Sequence, residues 1–241
     1  MVSNRSTFLS FKPNDTQLRK YIAYYYFHYC DDENSVVKFE FYPNFEHAIT
    51  AYQGSSFSID QGQAVVKPLN NKIVSTPLYS INIKSKVGVS IYGKFNKIGI
   101  VFHPLGINAF AKSNLDEVIS TYFEPVHFLG AEFLAELESV FELSSFEEKV
   151  SQLDFIFQQK LVHFQVPIIQ TAVQLILESN GFIKVEELSE QLKVSRKTLL
   201  RLFKKHLFSS VEEYKKMVMF RKALIYAKEN PEDVNLTDIA L

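Results

Sequence analysis

The segment VEELSEQLKVSRKTLLRLFKKHLF, residues Val185–Phe208, determines how the C-terminal third of the chain folds. Leu188 and Leu192 are four residues apart, which is the spacing of one face of a helix. Lys193–Val194 leaves room only for a short turn, and Ser195 is favoured at a helix N-terminus because its hydroxyl accepts a hydrogen bond from a backbone amide. Two helices joined by so short a turn cross steeply. The segment therefore predicts a helix-turn-helix.

The second predicted helix has an apolar face and a cationic face. The apolar face consists of Leu199, Leu202 and Phe203. The opposite face carries the cations Arg196, Lys197, Arg201, Lys204 and Lys205. From Lys193 to Lys222 there are ten Lys and Arg against two Glu, a local excess of eight positive charges. Such a concentration of cations is typical of a surface that contacts the DNA backbone.

The composition of the whole chain conceals this cationic surface. The 241 residues contain 26 Lys and Arg against 27 Asp and Glu, so the formal net charge is -1. Because residues 193–222 carry +8, the other 211 residues sum to -9. Hydrophobic residues make up 46% and charged residues 22%, which excludes a disordered or fibrous chain. At this length one large or two modest domains can each bury a core.

The sequence contains no constellation typical of an enzyme or a metal site. Cys30 is its only cysteine, so we expect neither an internal disulfide nor a thiolate zinc site, and a cytoplasmic location fits best. The six histidines lack the spacing of metal ligands, and no nucleophile or phosphate-binding motif accompanies them. No stretch approaches the roughly 20 apolar residues of a membrane-spanning helix. We therefore expect no catalysis, no metal, no cofactor and no membrane contact.

The first hundred residues have the pattern of β-strands. Aromatic and β-branched residues recur in short runs that turn residues separate. The runs are residues 24–29, 36–42, 47–52, 73–76, 79–83, 87–92 and 98–102. Ile81 and Ile83 alternate with Asn82 and Lys84, as in a strand with one buried face. The sequence predicts an antiparallel β barrel or sandwich over about residues 1–104.

After Gly106 the apolar residues recur every three or four positions, which is the helical period. One helix is indicated over residues 129–141 and another from Phe146 onward, with Ser144 or Ser145 as the cap between them. These helices, over about 106–162, form either a lid on the sheet or a dimer seam, and the sequence leaves both open. The candidate seam residues are Val150, Leu153 and Phe157.

A new helical pattern begins at Pro167, where we place a domain boundary. Proline suits the first turn of a helix because its missing N–H is not needed there. The apolar face of this helix continues until Gly181, a residue typical of helix ends. The sequence thus predicts an α+β protein, with an N-terminal sensing or dimerisation domain over residues 1–163 and an all-α domain over residues 167–241.

The helix-turn-helix segment resembles the first helix-turn-helix of the AraC/XylS family of bacterial transcription regulators. The matching residues are Leu188, Leu192, Ser195, Leu199, Arg201, Phe203 and Lys204. The residues similar to the family's linker helix are Tyr214 and Ala223, and those similar to the opening of its second helix-turn-helix are Leu236, Ile239 and Ala240. A looser similarity, to a strand-end motif of the family's sensor domains, rests on Phe102, Pro104 and Gly106. The main resemblance covers about residues 167–241.

The resemblance implies sequence-specific binding of double-stranded DNA, with the second helix in the major groove. The residues expected to face bases are Lys197, Leu200 and Arg201. Those expected to contact phosphate are Arg196, Lys204, Lys205 and Lys216. The helix-turn-helix core is then Leu188, Leu192, Leu199 and Phe203. An effector or dimerisation at the N-terminal domain is expected to modulate DNA binding, which makes a small molecule and a second copy of the chain the further expected partners.

Several positions depart from the family pattern. Lys193 and Phe208 stand where the family usually has glycine, so either their backbone is strained or the turns differ. Leu200 cannot hydrogen-bond a base edge but can contact a thymine methyl group. Met219 replaces a usual arginine. The chain ends at Leu241, where the second helix-turn-helix begins, and we expect that unit to be cut short.

An aromatic cluster in the predicted sheet is the candidate effector pocket. Its residues are Tyr24, Tyr26, Phe39, Phe41 and Tyr52. Aromatic walls with phenolic hydroxyls suit a small ligand. Barrel interiors are also simply filled by side chains, and both interpretations stay open. An alternative function for the whole chain is a protein-interaction or dimerisation module that does not bind DNA on its own.

Overall fold

The computed structural model describes residues 6–81 and 86–230. Its strands are β1 (Thr7–Phe11), β2 (Ile22–Cys30), β3 (Val36–Phe41), β4 (His47–Gln53), β5 (Ser55–Asp60), β6 (Gln63–Pro68), β7 (Leu78–Ser80), β8 (Val87–Tyr92), β9 (Phe95–Phe102) and β10 (Phe123–Pro125). Its α-helices are α1 (Leu115–Val118), α2 (Phe133–Glu142), α3 (Phe146–Lys160), α4 (Pro167–Glu178), α5 (Val185–Gln191), α6 (Arg196–Leu207) and α7 (Val211–Glu229). Short 3-10 helices lie at Leu18–Lys20 and Gly106–Ala109. The predicted α+β class is confirmed.

The strands form two sheets that pack face to face. The six-stranded sheet has the order β1-β2-β9-β4-β7-β10, and the four-stranded sheet has the order β3-β8-β6-β5. Residues from both sheets meet in one buried cluster, which contains Cys30, Tyr52, Phe95, Val37, Val66 and Ile91. Neighbouring strands are antiparallel except β6 and β8, which run parallel. Of the predicted antiparallel barrel or sandwich, the structure shows the sandwich, with one parallel pair that the sequence pattern did not indicate.

The six-stranded sheet is covered on both faces. Along β9, Ile98, Ile100 and Phe102 belong to the largest hydrophobic core, together with residues of α2 and α3. Lys97 and Val101, at the alternate positions of the same strand, line a cavity together with residues of the four-stranded sheet. Successive side chains of a strand point to opposite faces. One face of this sheet therefore packs on helices, and the other lines the space between the sheets.

Helix α3 is a packed lid on the six-stranded sheet. Its N-terminus is closed by a capping box in which Ser145 Oγ accepts a hydrogen bond from Glu148 N at 3.1 Å. Val150, Leu153 and Phe157 are at most 3% exposed within the largest core. Because the chain itself covers these three side chains, they cannot meet a partner. Of the two alternatives, a lid on the sheet or a dimer seam, the structure shows the lid, and the candidate seam at these residues is wrong.

Several sheet predictions differ from the structure. Residues 73–76 form no strand but a single bridge between Gln53 and Val74. The β5–β6 hairpin was not predicted, because serine and other polar residues obscure its apolar alternation. β1 and β10 were also missed. The predicted strand over residues 79–83 is described only as far as Ser80, and its alternation at residues 82–84 lies outside the described residues.

Helices α4 to α7 surround a second hydrophobic core. Helix α4 begins at Pro167, as predicted, and Gly181 follows its end with a φ of +86°. The residues of this core include Ile169, Ala172, Ile176, Leu188, Leu199, Phe203, Leu207, Tyr214 and Val218. Leu105, from the segment after β9, also belongs to it, so the sandwich and the helices share an apolar contact. The residues predicted to open a second helix-turn-helix, Leu236, Ile239 and Ala240, lie outside the described residues.

Candidate nucleic-acid interface and effector cavity

Helices α5 and α6 form the helix-turn-helix that the sequence predicts. Ser195 caps α6 by accepting a hydrogen bond from Thr198 N at 3.1 Å. Of the predicted core residues, Leu188, Leu199 and Phe203 are 0% exposed. Leu192 is half-buried at the end of α5. The buried face fixes the rotation of α6 about its axis, and it therefore decides which side chains of α6 reach solvent.

The two turn positions that usually hold glycine adopt left-handed backbone conformations. Lys193 has a φ of 53° and Phe208 a φ of 51°. This region costs a residue with a side chain roughly 1–2 kcal/mol. Val194 N donates a hydrogen bond to Ser189 O at 3.0 Å, which ends α5 and lets α6 begin two residues later. Of the two alternatives, a strained backbone or a different turn, the structure shows the strained backbone at both positions.

Helix α6 presents an exposed stripe along its length. Lys197, Leu200, Arg201 and Lys204 are exposed, at intervals that follow the helical period. Leu200 is 38% exposed between the cations. Within residues 6–81 and 86–230, none of the three cations forms an ion pair. The stripe is therefore a cationic surface, open to solvent, with one apolar side chain in it.

The other residues expected to contact phosphate differ in their exposure and in their ion pairing. Arg196 forms an ion pair with Glu186 of α5, with 2.5 Å between Nη1 and Oε1. Lys205 is half-buried. Lys216 of α7 is exposed. Of the four residues, Lys204 and Lys216 are thus exposed without an ion pair among the described residues, whereas the charge of Arg196 is partly offset by Glu186.

The C-terminal end of α6 is held by the segment that follows β9. Asn108 and His206 are both buried. Asn108 Nδ2 donates to His206 O at 3.0 Å, and His206 Nδ1 lies 3.3 Å from Asn108 Oδ1, an acceptor. Phe164 packs against the imidazole, with 5.3 Å between ring centres. Sequence analysis missed this junction, because neither residue belongs to a motif.

A cavity lies between the two sheets and brings the predicted effector-pocket residues together. Its larger part, about 270 Å³, is lined by Tyr24, Tyr26, Phe39 and Phe41, and a smaller part of about 60 Å³ is lined by Tyr52 with three of these. Phe8, which is 55% exposed, and Ala48 complete part of the wall. The sandwich is therefore not completely filled by its side chains.

Lys97, like Phe8, His28, Asn44 and Glu46, lines the cavity without having been predicted to do so. It is only 8% exposed, and its Nζ lies 5.1 Å from the ring centre of Tyr26, 5.4 Å from that of Tyr52 and 5.7 Å from that of Phe39. Burial disfavours the charged amine, but the Tyr26 and Tyr52 hydroxyls favour it and hold the pKa of Lys97 above its ordinary value. Burial and the nearby Lys97 lower the pKa of His28, another lining residue, to about 4. At neutral pH, Lys97 is therefore charged and His28 is neutral.

Gly99 explains how a tyrosine ring fits beside Lys97. Register places Gly99 directly opposite Tyr26. A Cβ atom on Gly99 would lie 1.9 Å from Tyr26 Cε1, so any side chain there would displace the ring from the cavity wall. The sequence signal was a lysine and a glycine two residues apart in a strand that is apolar apart from these two residues and Asn96. Register with β2 and β4 is needed to see what they face.

The β3–β4 connection touches both the cavity and the helices. Asn44 and Glu46 line the cavity. Tyr42 packs against Phe220 of α7, with 6.1 Å between ring centres, and Phe45 packs against the second core. A molecule in the cavity would therefore contact a segment that also contacts α7.

Metal and membrane features are not seen in the described parts of the chain. Among residues 6–81 and 86–230, no three His, Cys, Asp or Glu side chains gather as metal ligands. Across the same residues, no helix has both the length and the apolar character that a membrane crossing requires.

The described residues thus form a two-sheet sandwich with a helical lid, followed by a helix-turn-helix with an exposed cationic face. No protein-family model matches the chain, and no curated protein matches it in sequence. Among solved structures it is similar to an apo variant of ToxT from Vibrio cholerae, with 10% identity, a TM-score of 0.42, and 89% of this chain and 86% of that chain covered. A second ToxT structure has 11% identity, a TM-score of 0.41, and coverage of 98% and 87%. A third, ToxT bound to (E)-4-(8-methylnaphthalen-1-yl)but-3-enoic acid, has 10% identity, a TM-score of 0.38, and coverage of 98% and 87%.

Proposed function

We propose that the chain is a transcription regulator of AraC type, which binds duplex DNA through α6 and acts in the cytoplasm. The observation that carries this proposal is the stripe of Lys197, Leu200, Arg201 and Lys204, exposed on the second helix of a helix-turn-helix. In such motifs the second helix lies in the major groove. The domain division at residues 163 and 167 is part of the proposal, since a separate core supports the helices.

The residues near the start of α6 are proposed to contact bases. An arginine can donate two hydrogen bonds to guanine, which is the commonest specific contact in the major groove. Arg201 is exposed and free of ion pairs among the described residues, so its guanidinium is available for this. Lys197 can donate to an acceptor on a base edge. Leu200 can contact only an apolar group, such as a thymine methyl.

The remaining cations are proposed to contact phosphate, which supplies affinity without sequence information. Lys204 and Lys216 are exposed and suit this role directly. Lys205 is half-buried, so only part of its side chain is available to a phosphate. Arg196 bonds Glu186 through Nη1 alone and its side chain is exposed, so its other N–H donors can reach a phosphate while the ion pair persists. The nearby carboxylate offsets part of its positive charge, so we expect a smaller contribution from Arg196 than from Lys204.

An effector in the cavity is proposed to modulate DNA binding through the β3–β4 connection. Asn44 and Glu46 face the cavity, whereas Tyr42 and Phe45 contact α7 and the second core. A ligand changes DNA affinity only if it binds two arrangements of this connection unequally. The buried hydrogen bonds between Asn108 and His206 also connect the segment after β9 directly to α6.

Selection from a random-sequence duplex library tests the DNA-binding proposal. We expect the native chain to enrich one sequence, and Arg201→Ala to lose about 1–3 kcal/mol of discrimination at one base pair of it. Lys67→Ala is the matched control, because Lys67 is an exposed lysine of β6 in the sandwich. No enrichment by the native chain, or an equal loss in both variants, would overturn the proposal.

The alternative, a protein-interaction module that does not bind DNA, is favoured by apolar exposure on α7. Phe220, Ile225 and Tyr226 are 37%, 41% and 58% exposed. Because an α-helix has about 3.6 residues per turn, these three side chains lie on different sides of α7, so a partner on one side of the helix would cover only some of them. Sequence-specific binding of duplex DNA by this chain would exclude the alternative as its main function.

A further inference from the structure

Leu200 is an exposed apolar side chain in the middle of the cationic stripe on α6. Its neighbours Leu199 and Phe203 belong to the second core and are 0% exposed, whereas Leu200 is 38% exposed and lies outside that core. Lys197 comes three residues before it and Lys204 four residues after it, so the three side chains share one face of the helix. Leu200 therefore lies at the centre of the surface that is proposed to enter the major groove.

A leucine side chain can contact only one kind of group favourably in the major groove. The base edges there present hydrogen-bond donors and acceptors, and the apolar group among them is the C5-methyl group of thymine. Leucine has no polar atom, so wherever it covers a donor or an acceptor it displaces water without replacing the lost hydrogen bond. Against a methyl group it loses no hydrogen bond and removes apolar surface from water. A duplex with a methyl group opposite Leu200 should therefore bind more tightly than one without it.

The group that Leu200 can detect is the methyl group and not the thymine base as such. Thymine and 5-methylcytosine carry their methyl group on the same ring carbon, C5, and both project it into the major groove. They differ at the neighbouring exocyclic group, which accepts a hydrogen bond in thymine and donates one in cytosine. A side chain that forms no hydrogen bonds does not read this difference. Leu200 should therefore respond to either methylated pyrimidine.

The position of Arg201 limits where this methyl group lies. Leu200 and Arg201 are consecutive residues of α6, and both are exposed. Consecutive residues of a helix are displaced by about 1.5 Å along its axis, and stacked base pairs by about 3.4 Å. We therefore expect the methyl group within about two base pairs of the guanine that Arg201 contacts.

We propose that Leu200 makes duplex binding depend on a C5-methyl group, so that 5-methylcytosine can replace thymine opposite this residue and methylation of a cytosine there strengthens binding. The inference deepens the proposed function and rests on it, because α6 must first lie in the major groove. The two fail separately. The absence of any selected sequence would contradict DNA recognition, whereas a selected sequence whose methyl groups have no effect would contradict the methyl contact alone.

Fluorescence anisotropy with modified versions of the selected duplex tests the inference. Each thymine is replaced in turn by deoxyuridine, which removes the methyl group and leaves the hydrogen-bonding groups unchanged. We expect one replacement, within about two base pairs of the position that Arg201→Ala affects, to weaken binding about threefold to fivefold, the effect of one buried methyl group. At that position a pair of 5-methylcytosine with guanine should bind more tightly than a pair of cytosine with guanine by the same factor. No effect of any deoxyuridine, or equal affinities for the two cytosine duplexes, would overturn the inference.

Two variants assign the methyl effect to Leu200. Leu200→Ala should bind the thymine and deoxyuridine duplexes equally, because the shorter side chain no longer covers the methyl group. Leu69→Ala is the matched control, because Leu69 is an exposed leucine that follows β6 in the sandwich, and it should keep the full methyl effect. The ratio of the two affinities is compared within each variant, so a general loss of affinity does not obscure it. Persistence of the effect in Leu200→Ala, or its loss in both variants, would contradict the assignment.

Discussion

The sandwich and the helix-turn-helix use their cations in opposite ways. In the sandwich, Lys97 is buried among three aromatic rings and faces a cavity. On α6, Lys197, Arg201 and Lys204 reach solvent and form no ion pairs with described residues. An exposed cation keeps its hydration and can exchange it for phosphate or a base edge. A buried cation has already lost most of its hydration, so neighbouring groups must compensate its charge.

The difference also explains what the sequence could reveal. The stripe on α6 follows from local periodicity, and Ser195 and the turn residues Lys193 and Phe208 are local signals as well. The role of Lys97 depends on the register of β9 with β2 and β4, residues distant along the chain. The five aromatic residues of the predicted pocket could be identified from their strands. The position of Lys97 among them could not be predicted from the sequence pattern.

The errors in prediction have the same origin. The apolar face of α3 showed that Val150, Leu153 and Phe157 are covered, but a pattern does not say whether the chain or a partner covers them. The β5–β6 hairpin escaped notice because its residues are mostly polar or small. The parallel pairing of β6 with β8 depends on the packing of the whole sheet.

Removal of a buried ring from the helix-turn-helix core has the largest expected effect on stability. Phe203 is 0% exposed and contacts Tyr214 with 5.7 Å between ring centres. Phe203→Ala should lower the free energy of unfolding by about 3–5 kcal/mol, because it leaves a cavity in the second core. Urea unfolding measures the change. The exposed Leu200→Ala should change stability by less than about 0.5 kcal/mol, and similar losses in both variants would contradict the core assignment.

Acid pH should destabilise the sandwich, because His28 is buried there in its neutral form. Its pKa is lowered to about 4 by burial and by Lys97, from an ordinary value of 6.5. As the pH falls from 6.5 towards 4, the unfolded chain takes up a proton that the folded chain does not. Stability is therefore lost across this window, by up to about 3 kcal/mol. Urea unfolding against pH should show a smaller slope in His28→Phe than in the native chain, whereas the exposed His163→Gln should keep the native slope.

A change at Asn108 tests the junction between the two regions. Asn108→Ala removes the donor to His206 O and leaves buried polar atoms unpaired. We expect a loss of about 1–3 kcal/mol in the free energy of unfolding. Hydrogen exchange should show faster opening at the end of α6, while the strands that line the cavity keep their protection. Uniform acceleration across both regions would contradict a local role for the junction.

Relief of backbone strain in the turn before α6 has the smallest expected effect on stability. Lys193 is exposed and has a φ of 53°, a conformation that glycine adopts without strain. Lys193→Gly should therefore raise the free energy of unfolding by about 0.5–1 kcal/mol. This value is the relieved strain less the cost of the greater conformational freedom that glycine gives the unfolded chain. Thermal unfolding shows whether the variant is more or less stable than the native chain. A matched Lys197→Gly within α6 should destabilise by about 1 kcal/mol instead.

The salt dependence of duplex binding tests the central claim, that the exposed face of α6 binds DNA, most directly. Fluorescence anisotropy with the selected duplex, over about 50–200 mM salt, compares the native chain with Arg201→Ala and Lys204→Ala. We expect Lys204→Ala to weaken binding to every sequence and to reduce the slope of log affinity against log salt by about 1. We expect Arg201→Ala instead to reduce the preference for the selected sequence over others. Equal, salt-independent losses in the two variants, or none in either, would contradict the claim.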